Sequence, residues 1–405
     1  MKSHENLKSN IYKGGKPYML FTFLQQTIRN FRRKIGAAKL IILRKLGIFF
    51  CRDCIQVDCI SAKKIEKDRE GEITISIFLD ENILAASSSL SEAGQEVESL
   101  KPLIAQTETV LMDIKNTKFS FRNNHLIDNR NNVLYEPEIS FDALPIYTQK
   151  LLPTTRFKGT VAYLSNTNTS NYYHWMCLTL PLLRIYQKYL DLKNIDFFYV
   201  GEAPLTNFQK ETLLKVGISI DQVIQKGCKS DRLIVAIPYR KRYYGHGPID
   251  EETYIFIRNM YYDDLKVIKN SSKKRLYVAR GESKKRKVVN EVEVYQLLNK
   301  YNFDIVVMDG KTVREQAEIF YQAEVIIAPH GAALTNLLFV QPKLNLLEIF
   351  PDSYFPNYYY VMSRYAKANY FYMKGKSLNY NYQGNIDDIL INLGELEKFC
   401  KDVCC

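Results

Sequence analysis

Long apolar runs are absent from this 405-residue chain. None approaches the roughly 18 consecutive apolar residues of a membrane span, which excludes a polytopic membrane protein. The first 17 residues are polar and no small-residue cleavage site follows an apolar core, so no signal peptide is expected. Cysteine is sparse, with eight residues at 51, 54, 59, 177, 228, 400, 404 and 405, crowded toward the ends. That usage fits reduced thiols in a cytosolic compartment better than a disulfide framework. No His lies near Cys51, Cys54 and Cys59, or near Cys400, Cys404 and Cys405, to complete a zinc site, and no metal is expected. Also missing are G-x-x-x-x-G-K-[ST], G-x-G-x-x-G and G-x-S-x-G, which removes the P-loop, standard dinucleotide and nucleophile-elbow readings. There is no D-x-D pair to hold a metal-bound diphosphate.

What is present is a chain with a core. Apolar residues make up 46% and aromatics 13%, including 29 Tyr and 21 Phe, which excludes a disordered chain. The length exceeds what one hydrophobic core usually serves, so two domains plus an appendage are expected. The formal net charge of +12 is unevenly placed. Residues 1–52 hold twelve Lys and Arg against one acid, Glu5, and the remainder is nearly neutral. A neutral body argues against a nucleic-acid-binding domain, whose basic charge spreads over a folded face.

The basic segment has a pattern. Leu24, Ile28, Phe31, Ile35, Ala38, Ile42, Leu46 and Phe49 recur at spacings of four and three, which predicts a helix over 18–50 with one narrow apolar face. Arg29, Arg33 and Arg44 fall opposite it, and Arg32, Lys34, Lys39 and Lys45 sit on the shoulders. A helix lying in an anionic membrane interface has this pattern. So does a helix packed on the protein's own core with a solvated basic face.

Further along, strands and helices alternate, which predicts parallel sheet covered by helices. Strands are expected at 73–79, 109–114, 159–164, 196–200 and 233–237, and helices at 173–189 and 207–216. The clearest stretch is 274–350. It reads as strand 275–279, a helix capped by Asn290 with Glu293 and a Val289–Val294 staple, strand 303–308, a helix capped by Thr312 with Glu315, strand 325–328, a short helix 332–338 and strand 346–350. Such a doubly wound half binds ligands outside the carboxyl ends of its strands. The Tyr- and Asn-rich stretch 354–385 is expected to cross back over the first domain.

The strongest chemical feature is Ala328-Pro-His-Gly-Ala-Ala-Leu-Thr-Asn336. An apolar strand ends, a small-residue turn comes next and a helix opens. Gly331 and Ala332 let a ligand approach the backbone, and the helix start aims unsatisfied N–H groups at an anion such as a diphosphate. His330 stands at the strand tip, where an imidazole can donate to a phosphate or sugar oxygen. Arg280 ends the first strand of this half and offers a planar fork to phosphate, whereas Lys284–Lys287 reads as a solvated charge run. Glu315 is explained by capping, and Gln316 is its neighbour. Glu348 is a charge inside an apolar strand and needs a partner, either ribose hydroxyls or an internal ion pair. In the first half, Asn171-Tyr-Tyr-His174-Trp opens a helix, and His174 is a candidate general base or a structural N-terminal His. His246 falls where a cleft between halves would lie.

Together these residues resemble glycosyltransferase family 61, the group that includes bacterial capsular-polysaccharide proteins. The elements that match are Asn171-Tyr-Tyr-His-Trp with Leu180-Pro181, Tyr277-Val-Ala-Arg280, Asn290-Glu291 with Glu293, Arg314-Glu-Gln316, the 323–328 strand, His330-Gly-Ala-Ala-Leu-Thr-Asn336 and Glu348-Ile-Phe-Pro351. They cover about 160–352. One departure is Leu178 and Leu182 where the family often has an acid and then Leu-Pro-Arg, with Arg184 two residues late. The resemblance implies an α/β, GT-B-like fold, two Rossmann-like halves facing a cleft, and inverting transfer without an obligatory metal.

The resulting expectation is a basic amphipathic segment 1–52, an acceptor-side domain 53–240, a nucleotide-sugar domain 241–385 and a tail 386–405. Arg280, Gln316, His330, Gly331, Ala332, Asn336 and Glu348 would bind a UDP-linked sugar donor, with Glu348 on the ribose. Asn171 and His246 would face the acceptor, a surface glycan or its lipid-linked precursor, and His174 would be the base. No cofactor beyond the donor substrate and no nucleic acid partner is expected. The enzyme would sit on the cytoplasmic face of the membrane through residues 18–50. A catalytically silent nucleotide- or sugar-binding protein of an envelope assembly, and a peripheral membrane scaffold, are the rival readings.

Overall fold

The computed structural model describes residues 59–61, 73–85, 102–115, 118–122, 125–127, 129, 133–135, 153–165, 168–237, 249–268, 273–283, 285–378 and 386–404. The basic helix expected over 18–50 and His246 lie outside these residues. Ile55–Cys405 form one compact unit, in which the described residues build three six-stranded sheets.

The sheet nearest the C-terminus arises from apolar runs buried on both faces, as parallel sheets require. Val325 and Ile327 enter one buried cluster with Tyr277, Leu347 and Ile349. Ile326 and Ala328, pointing the other way, enter another with Leu276, Val278 and Leu346. The strands lie in the order Phe303–Val306, Lys274–Val278, Ala323–Pro329, Asn345–Pro351, Asn369–Leu378 and Asp388–Leu390. The first five are parallel and the last is antiparallel. In chain order this is 2-1-3-4-5 for the parallel strands. The order therefore reverses between Lys274–Val278 and Ala323–Pro329, and the carboxyl ends of two such strands are where sheets of this kind bind ligands.

Two of its helices begin differently. Thr312 forms the expected capping box: its backbone N–H donates to Glu315 Oε2 at 2.7 Å and its hydroxyl accepts from the Glu315 N–H at 3.1 Å. Asn290 does not cap the Glu291–Asn299 helix with its side chain. Its amide instead pairs with the backbone of Ile391, donating to the carbonyl at 2.9 Å and accepting from the N–H at 3.0 Å. The staple fails with it, since Val289 is half exposed while Val294 is buried. The expected tail supplies the edge strand and a helix, Leu393–Cys404. Its Leu396 and Cys400 are buried in the same cluster as Leu297 and Leu298.

A second sheet places Val223–Ile224, Phe197–Tyr199, Thr160–Tyr163 and Arg232–Ile237 in parallel, then adds Pro102–Ile114 and Ile73–Ala85 as an antiparallel extension. The third, small mixed sheet joins Cys59–Ser61, Val133–Tyr135, His125–Ile127, Ser120–Arg122, Cys228–Lys229 and Thr155–Arg156. The single helix expected over 173–189 is three pieces: Tyr172–His174, a π-helical turn Trp175–Thr179 and Leu182–Tyr189. Pro181, which has no N–H to donate, marks the break. The wider turn is closed by Leu180 N–H to Trp175 O at 2.8 Å.

One large buried cluster runs from Leu164 and Trp175 beside the second sheet to Leu276 and Leu337 beside the C-terminal one. The seam also has a polar tie. Glu211, on the helix Asn207–Lys215, accepts from the N–H groups of Val313 and Arg314 at 2.7 and 2.9 Å and from the Tyr261 hydroxyl at 3.1 Å. The 354–385 stretch touches the first-half helix, with Tyr358 and Tyr359 against Tyr173 at ring separations of 5.4 and 5.8 Å. It then returns to its own sheet as Asn369–Leu378. Among the described residues no helix is long and apolar enough to cross a membrane.

Candidate functional site

Just beyond the two strands where the order reverses stand Arg280 on one side and His330-Gly331 on the other. Arg280 reaches across: Nη1 donates to the His330 carbonyl at 3.0 Å, and Nη2 donates to Ser283 Oγ at 2.8 Å and to the Lys285 carbonyl at 2.9 Å. Gly331 makes this crossing possible, because a Cβ there would overlap Nη1. All these partners are neutral. The Arg280 Nε is buried without a partner, and among the described residues no carboxylate forms an ion pair with this side chain. Burial, then the nearby Arg286 charge, lower Arg280 to about 10. A buried guanidinium with only neutral partners is costly unless an anion completes it.

Arg286, assigned in sequence to the solvated charge run, belongs to the site. Its Nε donates to the same His330 carbonyl at 3.0 Å, and its guanidinium lies over the Tyr354 ring, 5.7 Å from the centroid. Its backbone sits in the left-handed region at φ 54°, a conformation that costs a non-glycine residue of order 1 kcal/mol. Neither the burial nor the backbone angle has a signature within a run of Lys and Arg.

His330 is almost wholly enclosed. Its ring stacks on Phe350 at 5.2 Å and packs against Tyr354, Tyr358 and Tyr359. Nδ1 lies 2.5 Å from Glu348 Oε1. The other carboxylate oxygen accepts from the Tyr370 hydroxyl at 2.7 Å. Glu348 has no solvent exposure. Its two oxygens are thus held inside the protein, and the ribose contact expected of it is replaced by an internal pairing with His330 and Tyr370. Burial pushes its carboxyl up to about 8. Burial first, then Arg286 and Arg280, hold the His330 imidazole well below its ordinary value.

The turn leads into the helix Ala332–Phe339, a 3-10 helix with Gly331 before it and Ala332 and Ala333 partly exposed. Asn336 is fully buried in it. Its amide donates to Gln316 Oε1 at 2.9 Å and to the Ala333 carbonyl at 3.0 Å, while its oxygen accepts from the Tyr172 hydroxyl at 2.9 Å. Gln316 in turn donates to the Lys311 carbonyl at 3.1 Å. These bonds make Gln316 and Asn336 an interlock behind the site rather than groups presented to a ligand. Asn171 is the N-cap of the Tyr172–His174 turn, its side chain accepting from the His174 N–H at 3.2 Å. His174 is half-buried, and its neighbour Tyr173 shares Tyr358 and Tyr359 with His330. The two histidines therefore border one aromatic cluster. Tyr354, Tyr358, Tyr359 and Tyr370 carry no motif in the sequence; only the tyrosine density of 354–372 marks them.

Among the described residues no group of three or more His, Cys, Asp and Glu is placed to hold a metal ion. Residues 172–347 match the family model described as Glycosyltransferase 61. The match runs from Tyr172 through Arg280 and His330 to the strand residue before Glu348. That family implies a glycosyltransferase using a nucleotide-sugar donor and a glycan acceptor. No curated protein matches the chain.

Proposed function

We propose that the chain is an inverting, metal-independent glycosyltransferase of GT-B arrangement that moves a sugar from a UDP-linked donor to a surface glycan, such as a capsular polysaccharide, or to its lipid-linked precursor. The observation that carries this is Arg280, a buried guanidinium that no carboxylate bonds among the described residues, at the switch point of the sheet and beside the opening of the Ala332–Phe339 helix. The donor diphosphate supplies the missing charge. As the acceptor hydroxyl attacks the sugar carbon, the bond to the diphosphate breaks, and Arg280 with the helix start stabilises the charge that grows on the leaving group. His174, across the aromatic cluster, takes the acceptor proton. Incubation with a panel of nucleotide sugars tests this: donor consumption that persists in chelator supports it, and consumption restored only by manganese overturns metal independence.

A silent binding protein is the second reading, favoured by Leu178 at the position where the family often has an acid. It predicts UDP binding without turnover of any donor in the presence of acceptor glycans.

The location proposed is the cytoplasmic face of the membrane. Its support is the charge of residues 1–52 and the apolar stripe within 18–50. Full-length protein should bind anionic vesicles in low salt and neutral ones poorly, and Ile35→Glu should abolish binding without removing a basic residue.

A further inference from the structure

Glu348 and His330 are both buried, and one pair of atoms joins them at 2.5 Å. The two groups are hydrogen-bonded and both ionisable, so a single proton lies between carboxyl oxygen and Nδ1. The second oxygen of Glu348 is engaged by Tyr370, which leaves the carboxyl no freedom to turn. With Nδ1 committed, Nε2 is the ring nitrogen available to a ligand. Among the described residues it makes no hydrogen bond, and the imidazole keeps 6% of its surface exposed.

Accepting that the switch point is a diphosphate site, we propose that Glu348 and His330 act as one group with a shared proton, whose Nε2–H donates to an oxygen of the donor's leaving diphosphate. Glu348 is the positioning residue. The proton count is the same whether the shared proton sits on the carboxyl or on Nδ1: in either case Nε2 carries its own hydrogen. When that shared proton is lost, the carboxylate instead accepts Nδ1–H, Nε2 becomes a bare acceptor and the pair gains a negative charge. Such a pair repels a diphosphate. In the transfer the Nε2–H bond need not break. It strengthens as the bond between sugar carbon and diphosphate oxygen breaks and the electron pair stays with the diphosphate.

The groups facing the pair set where the proton is lost. Arg280 lies just past one strand and Arg286 in the loop beyond it, and both favour loss; Tyr354, Tyr358, Tyr359 and Tyr370 surround the pair as hydroxyls that burial keeps neutral. Burial outweighs the Tyr370 hydrogen bond and the Arg286 charge, which favour loss, and raises the carboxyl to about 8. The pair is thus a donor at neutral pH and ceases to be one in mildly alkaline solution.

The test is calorimetry with UDP alone, full-length protein, from pH 7 to 9, below the titration of Arg280. Wild type should lose affinity by about tenfold per pH unit above the titration of the pair. Glu348→Gln presents its amide N–H to Nδ1 and so holds the Nε2–H form without a titrating carboxyl. Its affinity, whatever the absolute level, should not change across this range. A wild-type affinity independent of pH, or a Glu348→Gln variant that retains the alkaline loss, overturns the proposal. Nitrogen-15 spectra of His330 give a readout that does not depend on the ligand. The expected form at pH 7 has Nε2 protonated, and an Nδ1–H imidazole with bare Nε2 overturns the proposal. Failure of UDP and other nucleoside diphosphates to bind at any pH, with Nε2 still protonated in the spectra, instead overturns the donor-site reading on which the proposal rests.

Discussion

Two arginines, one beside each parallel sheet, show how the regions differ. Arg232 begins a strand of the 160–237 region and meets both oxygens of Asp113, at 2.9 and 2.8 Å. Its charge is answered within the protein, and Asp113 raises its pKa. Arg280 lies just past a strand of the 274–378 region and meets two carbonyls and a serine hydroxyl. No carboxylate bonds to it among the described residues; Asp309 acts on it only at a distance. The first arrangement holds sheet strands together; the second stores a demand for an anion. In the first region other polar groups are likewise closed on the fold: Trp175 Nε1 donates to Thr212 at 2.8 Å, and the Tyr186 hydroxyl joins Tyr163 and Ala236. Parallel sheet alone therefore does not mark a site. The mark is a charge that the fold desolvates without a carboxylate bonded to it.

The contrast can be broken by mutation. The largest effect is expected from Trp175→Ala, which empties a fully buried ring site and should cost about 3–5 kcal/mol in urea unfolding. UDP affinity of the folded protein should be nearly unaltered, and a large loss would make the first region part of the donor site. Arg280→Ala should weaken UDP binding by about 1.5–3 kcal/mol in calorimetry, the range for a charged hydrogen-bonding partner. Equal weakening by Arg232→Ala would erase the distinction between the two arginines. Arg232→Ala itself should cost about 1 kcal/mol of stability, since the pair is partly exposed and screened. Lys285→Ala should shift both stability and UDP affinity by less than about 0.5 kcal/mol. Its side chain is exposed and only its carbonyl is used by Arg280.

Much of the 274–350 region is legible because its signals are local. Apolar runs mark the strands, and Thr312 with Glu315 marks a helix start that the structure reproduces. Arg280 and His330 can be placed at strand tips because the strands themselves can. Long-range pairing is not legible. Asn290 has the sequence of a cap, yet its amide pairs with Ile391, about a hundred residues on. Glu348 needs a partner, but an isolated strand cannot say whether that is a ribose, His330 or Tyr370. Arg286 is hidden among neighbours of like charge, since position in a charge run says nothing of burial. The break in the helix at 172–189 has a visible cause in Pro181, but the π-helical turn before it depends on how Trp175 is packed.

The carboxylate of Glu211 has a mechanical consequence. It caps the start of the Val313–Tyr321 helix from outside that helix's own sequence and holds Tyr261 as well, so one side chain fastens three helices at a single point. Sliding the sheets past each other there would break three hydrogen bonds together and leave two helix-start N–H groups without their anion. Rotation about the same point would leave them intact. The fastening thus acts as a pivot: the helices Asn207–Lys215 and Val313–Tyr321 resist shear at Glu211 and yield there to rotation.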